Sequence, residues 1–219
     1  MTNDERLDRV RGSTGVFGGT FDPIHLAHLA VAEAARDSCG LRRVLFVPAA
    51  QPPHKPDRVI APVEHRLAMV EAAVATNATF EVSRIEIERD GPSYTVDTLT
   101  TLRDAEPDDR LALILSEESF AELPTWREPE RIMELVEAVI VAPRGGFGGG
   151  GGSTLASPVD DASPDRLRML DGPHIRLSAS EIRERAASGR SIRYLVPDAV
   201  AAYIGDHGLY QDHRRDHRT

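Results

Sequence analysis

S-T-G-V-F-G-G-T-F-D-P-I-H-L-A-H, residues 13–28, is the stretch on which the fold turns. Its first five residues read as a buried strand that runs into Gly18-Gly19. The alanine-rich residues 29–35 follow as a helix, and Gly40 is placed to stop it. Strand, glycine turn and helix open a βα unit, and in an open α/β sheet ligands gather at that turn. The same alternation continues outwards. Residues 44–47 are a second short apolar strand closed by Pro48. Pro62 suits the first position of a helix on which Leu67, Val70 and Val74 form an i, i+3, i+7 stripe. Residues 80–87 alternate like a strand, and Val96, Leu99 and Leu102 mark the next helix face. Residues 111–115 and 138–141 are continuous apolar runs, as in a parallel sheet covered on both faces. The expectation is an α/β fold, a Rossmann-like doubly wound parallel sheet with helices on both faces.

The pattern stops after Pro143. Residues 144–164 are low-complexity and rich in Gly, Ser and Pro, with no Gly-Lys-Ser/Thr after them. They read as a flexible surface insert, not a phosphate loop. Beyond them residues 174–177 read as a short strand, followed by a small C-terminal helical segment. Its first helix opens with Ser178 and Glu181 at capping-box spacing and closes at Gly189. Its second starts at Pro197 and ends near Gly205. Residues 1–219 are expected to form a single domain, with a core at about 12–210 and frayed termini.

Composition narrows the function classes. The 219 residues carry a formal net charge of −9, with 41% hydrophobic and 28% charged side chains, ordinary for a globular protein. The acidic balance disfavours a nucleic-acid binder but leaves room for a local basic pocket. No apolar run approaches the ~18 residues of a membrane span, and residues 1–12 lack a signal-peptide core. A cytoplasmic location with no membrane partner is the expectation. One cysteine, Cys39, excludes a disulfide framework and a cysteine-based zinc site. A single lysine, Lys55, stands among 26 lysines and arginines, so the place where it survives is informative.

Gly18 and Gly19 let a polyphosphate approach the backbone, and the helix start beyond offers amide donors and a positive dipole end. His25 and His28, three apart at that start, can both reach one ligand and donate to phosphate oxygens. Each part alone is ordinary: Gly-Gly makes turns, and Asp22 before Pro23 is a turn former. Lys55 lies in a loop stiffened by Pro52, Pro53 and Pro56, where its ammonium either seeks phosphate or is simply solvated. Trp126, the one tryptophan, either offers its face to an aromatic ring or plugs the edge of the core. Ser93 and Thr95 precede a helix and serve equally as N-caps. Ser178 is a cap by its spacing, and a capped helix start followed by Arg183 is also an anion site.

Taken together, residues 18–28 resemble the His-x-Gly-His signature of the nucleotidyltransferase superfamily. The longer run GGTFDPIH is similar to the nicotinate-nucleotide adenylyltransferase family. P-P-H-K-P (52–56), S-Y-T-V-D-T-L (93–99), L-P-T-W (123–126) and S-A-S-E-I-R-E-R-A-A-S-G-R-S-I-R-Y-L-V-P (178–197) resemble further segments of that family, in order. The resemblance spans nearly the whole chain except the termini and the insert. It implies adenylyl transfer from ATP to nicotinate mononucleotide, giving nicotinate adenine dinucleotide and pyrophosphate, with Mg²⁺ accompanying ATP. Gly18, Gly19, Thr20, Phe21, His25, His28, Ser178, Ser180 and Arg183 would then bind ATP and its phosphates. His54, Lys55, Ser93, Tyr94, Thr95 and Trp126 would face the nicotinate nucleotide. His25, His28, Lys55 and Arg183 would be the catalytic residues, stabilising the charge of transfer. A homo-oligomer is compatible with all of this, and Arg193 and Tyr194 are expected to be structural.

Two positions depart from the family pattern. The signature reads His25-Leu26-Ala27-His28, with an alanine that helical φ/ψ tolerates in place of glycine. Where the family has Gly-x-Asp after the third long apolar run, this chain has Ser116-Glu117-Glu118, which puts the contacts of Ser116 and Glu118 in question. A sibling adenylyltransferase acting on nicotinamide mononucleotide, or on another phosphorylated substrate, would not need L-P-T-W and S-Y-T-V-D-T-L together. A non-catalytic nucleotide sensor would be expected to lose His25, His28 or Lys55. A dinucleotide-dependent dehydrogenase is disfavoured, because no G-x-G-x-x-G opens the first helix.

Overall fold

The computed structural model describes residues 10–52, 61–143, 166–171 and 175–211. His54, Lys55, the insert at 144–164 and the extreme termini lie outside the described residues. The strands are β1 (Thr14–Gly19), β2 (Arg43–Pro48), β3 (Phe80–Val82), β4 (Leu111–Ser116), β5 (Ala138–Ala142) and β6 (Leu167–Met169). They form one sheet in the order β3-β2-β1-β4-β5-β6, every neighbouring pair parallel. The chain winds outward from β1 to β3, returns to β4 on the other side of β1, and winds outward again. That reversal places a topological switch between β1 and β4, where the loops at their carboxyl ends part and leave a crevice.

Helices cover both faces, as the unbroken apolar runs require. Phe46, Ile114 and Ile140 point to one face with residues of α1 (Leu26–Cys39), α2 (Val63–Val74), α6 (Ala179–Ala187) and α7 (Asp198–Asp206). Leu45, Leu113 and Val139 point to the other, against α3 (Thr95–Ala105), α4 (Glu117–Glu122) and α5 (Pro129–Leu135). Alternate strand residues thus feed two separate cores. The helix ends follow local chemistry: Gly40 closes α1 at φ 62, and the Ser178 hydroxyl accepts the Glu181 N–H to open α6. None of the described helices is long and apolar enough to cross a membrane.

Three sequence expectations need correction. Residues 80–87 hold a strand only over Phe80–Val82; by Ile87 and Glu88 the N–H groups turn back onto the Arg84 carbonyl. No strand forms at 175–177, and His174 lies outside the described residues; the sixth strand is Leu167–Met169, paired with β5. On α2 the buried stripe is Met69, Val70, Ala73 and Val74 with Arg66 at its head, and Leu67 is only half-buried. An arginine occupies a core position because backbone carbonyls surround its guanidinium, as described next.

Candidate active site

Two cavities meet over the carboxyl ends of β1 and β4. The first, about 580 Å³, lies between the glycine turn, the start of α1 and the start of α6. The second, about 500 Å³, lies between Val47, Ala49 and Pro52 on one side and Glu86, Ser93, Thr95 and Thr98 on the other. Gly18, Gly19, Thr20, Leu115, Glu118, Ser119 and Trp126 line both, so the two lobes share a wall.

The shared wall is set by the turn after β1. A Cβ on Gly18 would project into open space, whereas one on Gly19 would meet the Phe21 ring at 3.0 Å. Phe21 itself stands at φ 48, a left-handed conformation costing of order 1 kcal/mol, which burial of its ring offsets. The Gly19 carbonyl accepts from Ala49 N–H at 2.9 Å. The Thr20 carbonyl accepts from Arg66 at 2.8 Å, and the same guanidinium donates to the carbonyls of Ala61 and Ala50. Arg66, 1% exposed, thereby holds the glycine turn against the segments that follow β2 and precede α2.

His25 is the N-cap residue of α1, and its N–H donates to His28 Nδ1 at 3.2 Å. With Nδ1 accepting, the neutral His28 ring carries its proton on Nε2. The two imidazoles stack 3.7 Å apart at 18°, and the Phe21 ring meets His28 edge-on at 5.2 Å. Burial brings the His25 pKa down to about 4, so this ring is neutral at pH 7. The amides of α1 contribute less than its sequence suggests. Leu26 N–H donates to the Leu195 carbonyl and His28 N–H to the His25 carbonyl. The imidazoles, rather than those two amides, are what this helix start offers an anion.

Arg183, on α6, reaches across to Asp22 in the same turn. It donates to the Asp22 carbonyl, lies 3.5 Å from Asp22 Oδ2 and is 3.4 Å from Ser180 Oγ. Asp22 is 3% exposed, and its Oδ1 accepts from the Tyr210 hydroxyl at 2.7 Å and from Ala61 N–H at 3.2 Å. Ser178, Ala179 and Ser180 complete that edge of the first lobe. Three buried side-chain atoms without a hydrogen-bond partner, Asp22 Oδ2, His25 Nδ1 and Trp126 Nε1, belong to residues lining this lobe. Buried polar atoms are nearly always paired, so their gathering here marks a polar site.

In the second lobe Ser93 is no helix cap. Its hydroxyl accepts from Ala50 N–H at 3.0 Å and Gln51 N–H at 3.2 Å, fixing the chain after β2. Buried Glu86 accepts from Thr98 Oγ1 at 2.7 Å, and burial pushes its carboxyl above the usual range. Trp126 packs on the core edge and also lines both lobes. Tyr94 lines neither cavity; the Arg127 guanidinium sits 5.0 Å from its ring centre. Ser116 caps α4, accepting the Ser119 N–H at 3.2 Å, while Glu118 lines both lobes. Tyr194, 79% exposed, packs into no core.

The sequence alone does not single out Arg66, Glu86 or Tyr210, and marks Asp22 only as a turn former. Arg66 had a signal: it heads the i, i+3, i+4, i+7, i+8 stripe of α2. For a metal, no group of three His, Cys, Asp or Glu side chains occurs among the described residues. The carboxylates on the first lobe are Asp22, which faces Arg183, and Glu118. Such a donor set fits a cation carried in on phosphates better than one caged by protein.

Comparison with known proteins agrees with this fold. The cytidylyltransferase-like family model matches residues 16–185. A probable nicotinate-nucleotide adenylyltransferase of Thermomicrobium roseum is 48% identical over 90% of this chain and 91% of its own length. Its counterpart in Thermus thermophilus is 46% identical over 90% of this chain and 98% of its own. The fold is shared with the nicotinic acid mononucleotide adenylyltransferase of Plasmodium falciparum solved with NaAD. That likeness has a TM-score of 0.71 at 18% identity and covers 91% of this chain and 98% of that one. The chain belongs to the nicotinate-nucleotide adenylyltransferase family, within the cytidylyltransferase-like nucleotidyltransferases.

Proposed function

We propose that the two-lobed cleft transfers the adenylyl group of ATP to the phosphate of nicotinate mononucleotide, forming nicotinate adenine dinucleotide and pyrophosphate. The observation that carries this reading is the shared wall of Gly18, Gly19 and Thr20. Two nucleotides seated in separate lobes bring their phosphates together there, as in-line transfer demands. ATP takes the first lobe and the mononucleotide the second, with Trp126 as the flat face for the pyridine ring. Glu86 lines the second lobe, where burial pushes its carboxyl above the usual range.

The attacking phosphate oxygen is already ionised at neutral pH, so no general base is required. Its new bond to the α-phosphorus forms as the bond to the pyrophosphate oxygen breaks, and the reaction rests on positioning and electrostatics. His28, protonated on Nε2, donates to the charge growing on the α-phosphoryl oxygens. His25 stacks beneath it uncharged, so the pair meets no mutual repulsion. Arg183, with Ser178 and Ser180 at the start of α6, takes the departing pyrophosphate. Lys55, outside the described residues, is assigned the transferred phosphate. Mg²⁺ entering on ATP would neutralise phosphate charge, with Glu118 on the wall of both lobes as a carboxylate near it.

The test is pyrophosphate release by the purified protein with ATP and Mg²⁺, using nicotinate and nicotinamide mononucleotides in parallel. Strong preference for the acid is expected. Preference for the amide would make the protein a sibling adenylyltransferase, and release with neither would return it to a nucleotide sensor.

A further inference from the structure

We propose that Tyr210, in the segment after the last helix, is a positioning residue of the ATP lobe that acts through Asp22 on Arg183. The proposal rests on the site reading above. Tyr210 stands 188 residues from Asp22, yet its hydroxyl donates to Asp22 Oδ1 at 2.7 Å. The turn that returns it has Gly208 at φ 59 and Tyr210 at φ 64, with Leu209 N–H bonded to the Ile204 carbonyl. Asp22 in turn presents Oδ2, with no hydrogen-bond partner, 3.5 Å from Arg183. Arg183 is the described arginine on the first lobe, and Asp22 holds it by carbonyl and by charge.

The phenol decides how firmly. A hydroxyl donated to Oδ1 draws negative charge to that oxygen and fixes the plane of the carboxylate. Oδ2 then stays at the long end of ion-pair distance, and the guanidinium keeps donors for phosphate. Without the hydroxyl, Oδ1 keeps the Ala61 N–H alone among the described residues, and the carboxylate can turn and close on Arg183 as a full ion pair. ATP must then compete with Asp22 for the same fork. The coupling is specific to the triphosphate, because the second lobe has none of these three residues in its lining.

Tyr210→Phe keeps the ring and removes only the hydroxyl. The measurement is the Kd of a non-hydrolysable ATP analogue, by calorimetric titration, for the parent, Tyr210→Phe, Arg183→Ala and the double variant. Expected is about tenfold weaker binding in Tyr210→Phe, the factor of one weakened charge-assisted contact. The KM for nicotinate mononucleotide should stay unchanged, and the hydroxyl should make no further difference once Arg183 is alanine. Parent-like binding by Tyr210→Phe overturns the proposal. So does an equal loss in the Arg183→Ala background, or a Tyr210→Phe chain that fails to fold, since each makes Tyr210 merely structural. Analogue binding is read without turnover, so a failed transfer assay leaves this result standing. A parent that binds no analogue overturns the site reading and this proposal with it.

Discussion

His25 and His28 are neighbours in a stack but are held differently. His28 is oriented by a backbone N–H on Nδ1, and His25 is desolvated with its Nδ1 unpaired. For His25 the folded pKa is about 4 against 6.5 when exposed, so the native state refuses a proton that the unfolded chain accepts. Above pH 6.5 both states are neutral there and the group is indifferent to pH. As pH falls from 6.5 towards 4 stability is lost, on the order of 3 kcal/mol at full extent. Glu86 acts in the opposite sense, since its raised pKa favours the fold as pH falls. Denaturant unfolding of the parent and of His25→Gln between pH 7 and 5 separates the two: the parent should lose more stability on acidification than the variant. Equal losses would sink the assignment of a neutral His25.

At the scale of elements, the turn after β1 depends on a side chain from α2. Arg66 is buried among three carbonyls, those of Thr20, Ala50 and Ala61, and Arg66→Met removes its donors to them at nearly constant volume. A buried carbonyl left unpaired costs about 1–3 kcal/mol, and two of these three bonds are only part-buried, so roughly 3–5 kcal/mol of unfolding free energy should be lost in urea denaturation. A loss below about 1 kcal/mol would mean the turn holds without it. Nothing local in the chain announces this role; the spacing to Met69, Val70, Ala73 and Val74 marks Arg66 as inward-facing but not as the donor to three carbonyls. The elements that the sequence did reveal are those buried on both sides, β1, β2, β4 and β5. The two it misjudged, β3 and β6, are the edges of the sheet. An edge strand pairs on one side only, so short segments such as Phe-Glu-Val and Leu-Arg-Met suffice and leave a weak apolar signal. Ser116 shows the same limit: it departs from the family pattern and is explained by the cap it makes on α4.

The whole molecule turns on the reversal between β1 and β4, which brings the glycine turn, Trp126 and the start of α6 around one cleft. The part of the site that is contiguous in the chain, Gly18 to His28, could be read from the letters because spacing carries its geometry. The links from Asp22 to Arg183 and Tyr210 could not, for they join residues 161 and 188 positions apart and exist only once the sheet has formed. Trp126 belongs to both kinds. It is the one tryptophan of the chain, and it lines both lobes. Under tryptophan-selective excitation, all emission from the unlabelled protein therefore comes from a single ring at the junction of the two lobes. Nicotinate mononucleotide stacked on that ring should quench it, and an ATP analogue added alone should shift it by changing the first lobe. A spectrum that moves with neither ligand would place the pyridine elsewhere. The fold has in effect built a fluorescent gauge of occupancy into its own active-site wall, one that follows substrate binding step by step without a dye.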